Sequence, residues 1–194
     1  MEPDELRRYH EAVATFRAPG RAPGLPEGGR AGPVVPDALG FLHGRWRLDR
    51  RLVDHATACS GTFSGTAQFA PLAAAMITTV SSRDVPRNGS DHGGAAVLSY
   101  HEQGELRFRG HRGSASRSLI YRGRPDGTAD VFFADGREFY LLDPRSGSWR
   151  GEHQCGADHY AVAGQVLGSG SFEERWRVRG PDKDYEIMTT LVRA

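Results

Sequence analysis

Trp176-Arg-Val-Arg-Gly-Pro-Asp-Lys-Asp-Tyr-Glu-Ile-Met-Thr-Thr-Leu-Val-Arg193 reads as two alternating runs on either side of Gly180-Pro181-Asp182-Lys183. The Gly and Pro punctuate a turn, and residues on each side alternate with the period of a pleated strand, so the segment predicts a β-hairpin. A hairpin that closes a domain needs a first strand to meet. Leu39-Gly-Phe-Leu-His-Gly-Arg-Trp46 opens that strand, and the chain between alternates short apolar runs with turns. The architecture that removes exposed edges from so many strands is an antiparallel, up-and-down barrel, which makes the chain all-β.

Working outward, Ser60 to Ala70 alternates most cleanly: Phe63, Gly65, Ala67 and Phe69 share one face, and Thr62, Ser64, Thr66 and Gln68 the other. Gly65 between two Phe residues predicts a bent strand or a close neighbour. Ala73 to Ser82 reads as a further strand and Arg83 to Gly94 as a polar loop. Later strands are expected at Ala95 to Glu102, Glu105 to Gly110, Ser116 to Arg122, Thr128 to Phe133 and Arg137 to Leu142. Others follow at Ser148 to Gln154, Asp158 to Leu167, Phe172 to Arg179 and Asp184 to Val192, with Gln103-Gly104, Asp126-Gly127, Asp135-Gly136 and Gly156 as turns.

Before the barrel, Leu6, Tyr9, Val13 and Phe16 recur at helical spacing with Asp4 and Glu5 in the first turn. That stripe needs a cover, which the domain or a second subunit in a homodimer would supply; uncovered, the segment is a disordered tail. Pro19 to Pro36 holds five Pro and five Gly in eighteen residues, a linker. The expected organisation is therefore a helix and linker over residues 1–36 and a barrel over residues 37–194, with the first segment separable.

The 194 residues carry a formal charge of +1, which gives no net electrostatic reason to bind nucleic acid or an anionic membrane. Lys183 stands alone against 24 arginines, and the two cysteines are too few for a disulfide framework, so a cytoplasmic location is the default. No dinucleotide fingerprint, Walker loop, HExxH or GxSxG occurs, and no cofactor or metal is expected.

Gly44-Arg-Trp46 with a late Arg193 resembles the lipocalin and calycin superfamily, in which the Trp packs inside the closed base and an Arg lies across it. A longer set comprises Tyr100-His-Glu-Gln-Gly104, Phe133-Ala-Asp-Gly-Arg137 with Phe139, His153-Gln-Cys-Gly-Ala-Asp-His-Tyr160 and Trp176-x-Val-x-Gly-Pro-x-Lys-Asp-Tyr185. Together these resemble an uncharacterised lipocalin-like family of bacteria and fungi, over about Leu39 to Arg193. Members often carry His where this chain has Tyr140. The resemblance implies the barrel and little chemistry.

The candidate catalytic residues are His153, Asp158 and Tyr160, with His153 as base or anchor, Asp158 or Glu102 orienting it and Tyr160 as donor. The opposite reading makes His153 a residue bonded to a backbone carbonyl, beside a core Cys155. Candidate ligand-binding residues are Glu102, Arg117, Tyr121, Arg137, Tyr140, Lys183 and Tyr185. Asp135-Gly136-Arg137 reads first as a hairpin turn, and any Arg that is inside needs a partner such as Glu102. Three functions follow: a barrel binding a small, largely apolar molecule; a non-redox enzyme such as a cyclase, isomerase or dehydratase; and a haem binder with His153 or His111 as axial ligand.

Overall fold

Along the first strand every second side chain is buried: Trp46, Leu48, Arg50, Leu52 and Asp54. The intervening Arg45, Arg47, Asp49 and Arg51 face solvent, the alternation that a sheet with one buried face imposes. This computed structural model describes residues 32–72 and 95–194. A short helix α1 (Ala38–Leu42) precedes ten strands: β1 (Gly44–Asp54), β2 (Cys59–Pro71), β3 (Val97–Phe108), β4 (His111–Gly123), β5 (Ala129–Phe133), β6 (Glu138–Leu142), β7 (Ser148–Cys155), β8 (Asp158–Gly168), β9 (Ser171–Gly180) and β10 (Lys183–Arg193). All pair antiparallel in the order β6-β5-β4-β3-β2-β1-β10-β9-β8-β7, so the sheet is a continuous meander whose ends come round to face each other.

The closing hairpin pairs β10 with β1 over its length, from Trp46 opposite Arg193 to Asp54 opposite Tyr185. The last seam, β6 to β7, has no ladder and is closed by side chains. Tyr140 on β6 packs over Gly151 on β7, where an added Cβ would lie 2.8 Å from the ring. The Phe133 and Phe139 rings meet that of His153 at 5.6 and 5.4 Å. The barrel is therefore nearly closed.

One end, the base, is covered by α1. Asp37 caps it by accepting from the Leu39 N–H at 3.1 Å. The Trp46 indole donates to Leu42 O at 2.7 Å and sits edge-on to Phe172 and Phe69. Arg193 lies over that indole at 4.4 Å and donates to the His43 and Phe41 carbonyls at 2.8 and 2.6 Å. It thus joins the last strand to the helix that precedes the first.

Two expectations change. Gln103-Gly104 is not a turn: β3 runs straight through it, and Gly104 pairs with Gly65, each approaching the other's backbone so closely that a Cβ on Gly65 would sit 2.1 Å from Gln103 O. The glycines serve contact between strands; the reversal comes at Arg109-Gly110, both at positive φ. The tail of the linker also packs, since Val35 is buried in the core and the backbone of Gly32 lies against that of Val166 and Gly147. The expected helix over Pro3 to Arg17 and the strand over Ala73 to Ser82 lie outside the described residues.

Trp46→Ala is expected to cost about 3–5 kcal/mol in urea unfolding, as a large-to-small core change. Removal of residues 1–31 should leave the melting temperature within a few degrees, whereas removal of 1–36 also takes Val35 from the core and should cost about 1.5–3 kcal/mol more; equal loss from both truncations would show that the separable segment ends elsewhere.

Candidate functional site

Half-way along the barrel, strands that otherwise point apolar side chains inward place charged ones there. Arg50 of β1 grips Glu102 of β3 with both fork nitrogens, Nη1 to Oε1 at 2.7 Å and Nη2 to Oε2 at 2.8 Å, with side chains only 5% and 2% accessible. Its Nε donates to Thr189 Oγ1 of β10 at 2.9 Å, so every face of that guanidinium is used. Glu102 also accepts from Arg117 Nη2 of β4 at 3.3 Å and from the Tyr100 hydroxyl. Burial alone would raise the Glu102 carboxyl, but the Arg117 and Arg50 charges and the bonds from Arg50 and Tyr100 hold it far below the usual carboxylate range.

Beside this belt stands a second carboxyl of opposite character. Glu174 of β9 accepts from the Tyr140 hydroxyl at 3.0 Å and the Trp176 indole at 3.4 Å. Burial pushes it above its ordinary value, and the Tyr140 bond and Arg117 charge offset only part of that. One lumen thus holds one carboxyl kept ionised and one biased toward its neutral form.

The belt divides the lumen in two. The base-side chamber is lined by Phe41, Phe69, Tyr121, Trp149 and Phe172 with Glu174; the far chamber by Leu52, Phe139, Tyr160, Trp176, Val178 and Ile187. Arg50, Arg117 and Thr189 line both, and each chamber holds about 20 Å³, room for a single water-sized group. Two donors are buried here without a hydrogen-bond partner among the described residues, Arg117 Nε and Trp149 Nε1. The indole of Trp149 is held flat on Gly164, where a Cβ would lie 2.0 Å from the ring.

The remaining candidates lie toward the opposite end, the rim. His153 is half-buried, walled by Phe133, Phe139 and Tyr160 and hydrogen-bonded to the backbone of Phe139. Burial lowers its pKa, partly opposed by that bond, and the Arg137 charge lowers it further. Asp158 is buried and raised by burial, with Lys183 opposing and Asp182 adding to the shift, so its electrostatic neighbours are on the β9–β10 turn and not His153. Arg137 is exposed and paired with Asp135 at 2.8 Å, as its turn position dictates. Tyr185 is half-buried near Asp54 and Arg109. Tyr160, fully buried, is the one member of this group that lines a chamber.

The polar residues thus form two groups, not one pocket. Glu102, Arg117, Tyr121 and Tyr140 converge in the lumen; His153, Asp158, Arg137, Lys183 and Tyr185 stay at the rim, and of these none lines either chamber. The family profile that matches the chain spans residues 42–193. The chain belongs to DUF6314, a family of unknown function. No curated protein matches it. Among solved structures it is similar to the S-type phycobiliprotein lyase CPES from Guillardia theta, at 10% identity and a TM-score of 0.61, over 84% of this chain and 93% of that one. A protein of the DUF3598 family from Nostoc punctiforme matches at 12% identity and a TM-score of 0.39, over 87% of this chain and 53% of that one. The likeness to the lyase is of fold, and no helix among the described residues is long and apolar enough to cross a membrane.

Within this DUF6314 barrel the sequence reading missed Arg50, Tyr100, Glu174 and Thr189. A signal was present: each occupies a position in step with apolar neighbours, Arg50 with Trp46, Leu48 and Leu52, and Glu174 with Phe172, Trp176 and Val178.

The two carboxyls predict opposite pH slopes. Glu102, lowered on folding, contributes stability that is complete above the unfolded carboxyl value near 4.5 and erodes as pH falls below it. Glu174, raised on folding, favours the fold most below 4.5, and that contribution is lost as pH rises through its folded value. Urea unfolding from pH 3 to 8 should show Glu102→Gln flattening the acid limb and Glu174→Gln flattening the limb above it; identical profiles for both variants would contradict these assignments.

Proposed function

We propose that the protein binds a small, largely apolar molecule inside the barrel. The observation that carries this reading is the base-side chamber, walled by aromatic rings yet holding the buried donors Arg117 Nε and Trp149 Nε1 without partners among the described residues. Unpaired buried donors cost folding free energy, and a cavity that combines apolar walls with a few convergent polar groups is what a small-molecule site requires. At about 20 Å³ each, the chambers admit a larger molecule only as side chains move aside. The β6–β7 seam, closed by packing and not by a ladder, is the part of the wall that yields at least cost.

A second reading, a non-redox enzyme of the cyclase, isomerase or dehydratase class, is favoured by the opposed carboxyls Glu102 and Glu174, since groups whose environments push their pKa values apart suit acid and base roles. The rim residues His153 and Asp158 do not support it, because their surroundings are separate. Nor does His153 or His111 line either chamber, which leaves the haem reading without a placed ligand.

Native mass spectrometry of the protein purified from its own source should show a one-to-one adduct released on denaturation. Gly164→Ala, whose Cβ drives the Trp149 indole off its seat, should abolish that adduct while the barrel stays folded by circular dichroism. An adduct retained at full occupancy in Gly164→Ala places the ligand outside the lumen and overturns the proposal.

A further inference from the structure

Inside the lumen two guanidinium groups share one carboxylate. Arg50 is fully committed, with Nε on Thr189 and both terminal nitrogens on Glu102. Arg117 is not: only Nη2 reaches Glu102, at 3.3 Å, and Nε has no hydrogen-bond partner among the described residues. Burial biases Glu174 toward its neutral form, and while it is neutral Arg50, Arg117, Glu102 and Glu174 together carry one positive charge in excess. A buried charge without a counter-charge is strongly unfavourable, so the lumen is matched to a ligand that brings a negative one.

The position for that charge is marked on the same wall. Trp149 is 5% accessible and lines the base-side chamber with Arg117, and its buried indole N–H has no partner among the described residues. Gly164 leaves no room behind the ring, so packing fixes its orientation. Tyr121, Phe69 and Phe172 complete the walls with apolar surface.

We propose that the base-side chamber is an anion seat, in which a carboxylate on the lumen ligand accepts hydrogen bonds from Arg117 Nε–H and Trp149 Nε1–H. This rests on the lumen-binding reading and makes the ligand a small aromatic or aliphatic acid. Arginine and indole donors suit an acceptor oxygen, and the charged member makes the anion preferred over its neutral amide.

Binding is then linked to the protonation of Glu174. The groups facing it are Tyr140 on β6, Arg117 and Tyr121 on β4, Arg50 on β1 and Thr189 on β10, with Trp149 on β7 and Trp176 on its own strand, and Glu102 on β3 is held by the same two arginines. Ionised, Glu174 cancels the excess positive charge and repels the ligand; neutral, it leaves that charge to the ligand. The affinity of an acid that is itself ionised therefore falls as pH rises through the Glu174 value, and Glu174→Gln removes that fall.

Isothermal titration calorimetry of the full chain with benzoate, 2-naphthoate and octanoate, each beside its neutral amide, tests the seat. At least one acid should bind ten-fold or more tighter than its amide. Trp149→Phe, which keeps the ring and loses the N–H, and Arg117→Met should each reduce that preference at least five-fold. Arg117→Lys should retain part of it if the melting temperature of the Met variant falls too far for titration. Acids and amides binding equally would overturn the anion seat and leave the lumen reading intact, as would a preference that survives both variants. Absence of binding by every probe, together with no adduct in native mass spectrometry, would overturn both.

Discussion

The buried grip of Arg50 on Glu102 is the constraint on which the rest of the barrel depends. It joins β1 to β3 across β2, and through Thr189 and Arg117 it reaches β10 and β4, so one ionic cluster spans five neighbouring strands. Neither charge could be buried alone. A hydrophobic set in the same places could be as stable, so the cluster is better explained as fixing register and dividing the lumen than as the source of the fold's stability.

Its placement decides what the interior can hold. Below the belt the lumen meets the base, where Trp46, Phe172, Phe41 and Arg193 form one plug with α1. Above it the Phe139 and Trp176 rings stack at 5.0 Å with Tyr160 edge-on to both, so apart from the belt residues the far chamber is walled by apolar and aromatic side chains. Of the two lumen residues with a donor unpartnered among the described residues, Trp149 lines the base-side chamber and Arg117 lines both. The rim is organised differently: Asp54 accepts from Thr57 and Arg109 and so ties down the β1–β2 turn. That is a structural duty for a buried acid.

The proposed lumen binding would use Arg117 Nε and Trp149 Nε1, donors that folding leaves without a hydrogen-bond partner among the described residues. His153 shows the contrast. Its ring forms part of the aromatic packing across the β6–β7 seam, where the ladder is missing, and its hydrogen bond to the Phe139 backbone adds to the Tyr140–Gly151 contact there.

The sequence by itself determined the all-β meander, the closing hairpin and the strands on each side of it, because period-2 alternation and Gly, Pro and Asp turns are local signals that tertiary context seldom reverses. It also marked Glu102, Arg117, Tyr121 and Tyr140. What it could not assign was partnership: parity says which residues share a face, but not which face is inward or which residues meet across the lumen. Gly104 carried a turn signal and proved to be a contact between strands, since only the pairing with Gly65 reveals that need. Arg50 and Glu102 lie 52 residues apart and touch only because β1 and β3 both flank β2 in a curved sheet. The belt, the opposed carboxyls and the two open donors were therefore decided by tertiary structure alone, since closure of the barrel brings to one level side chains that no local rule connects.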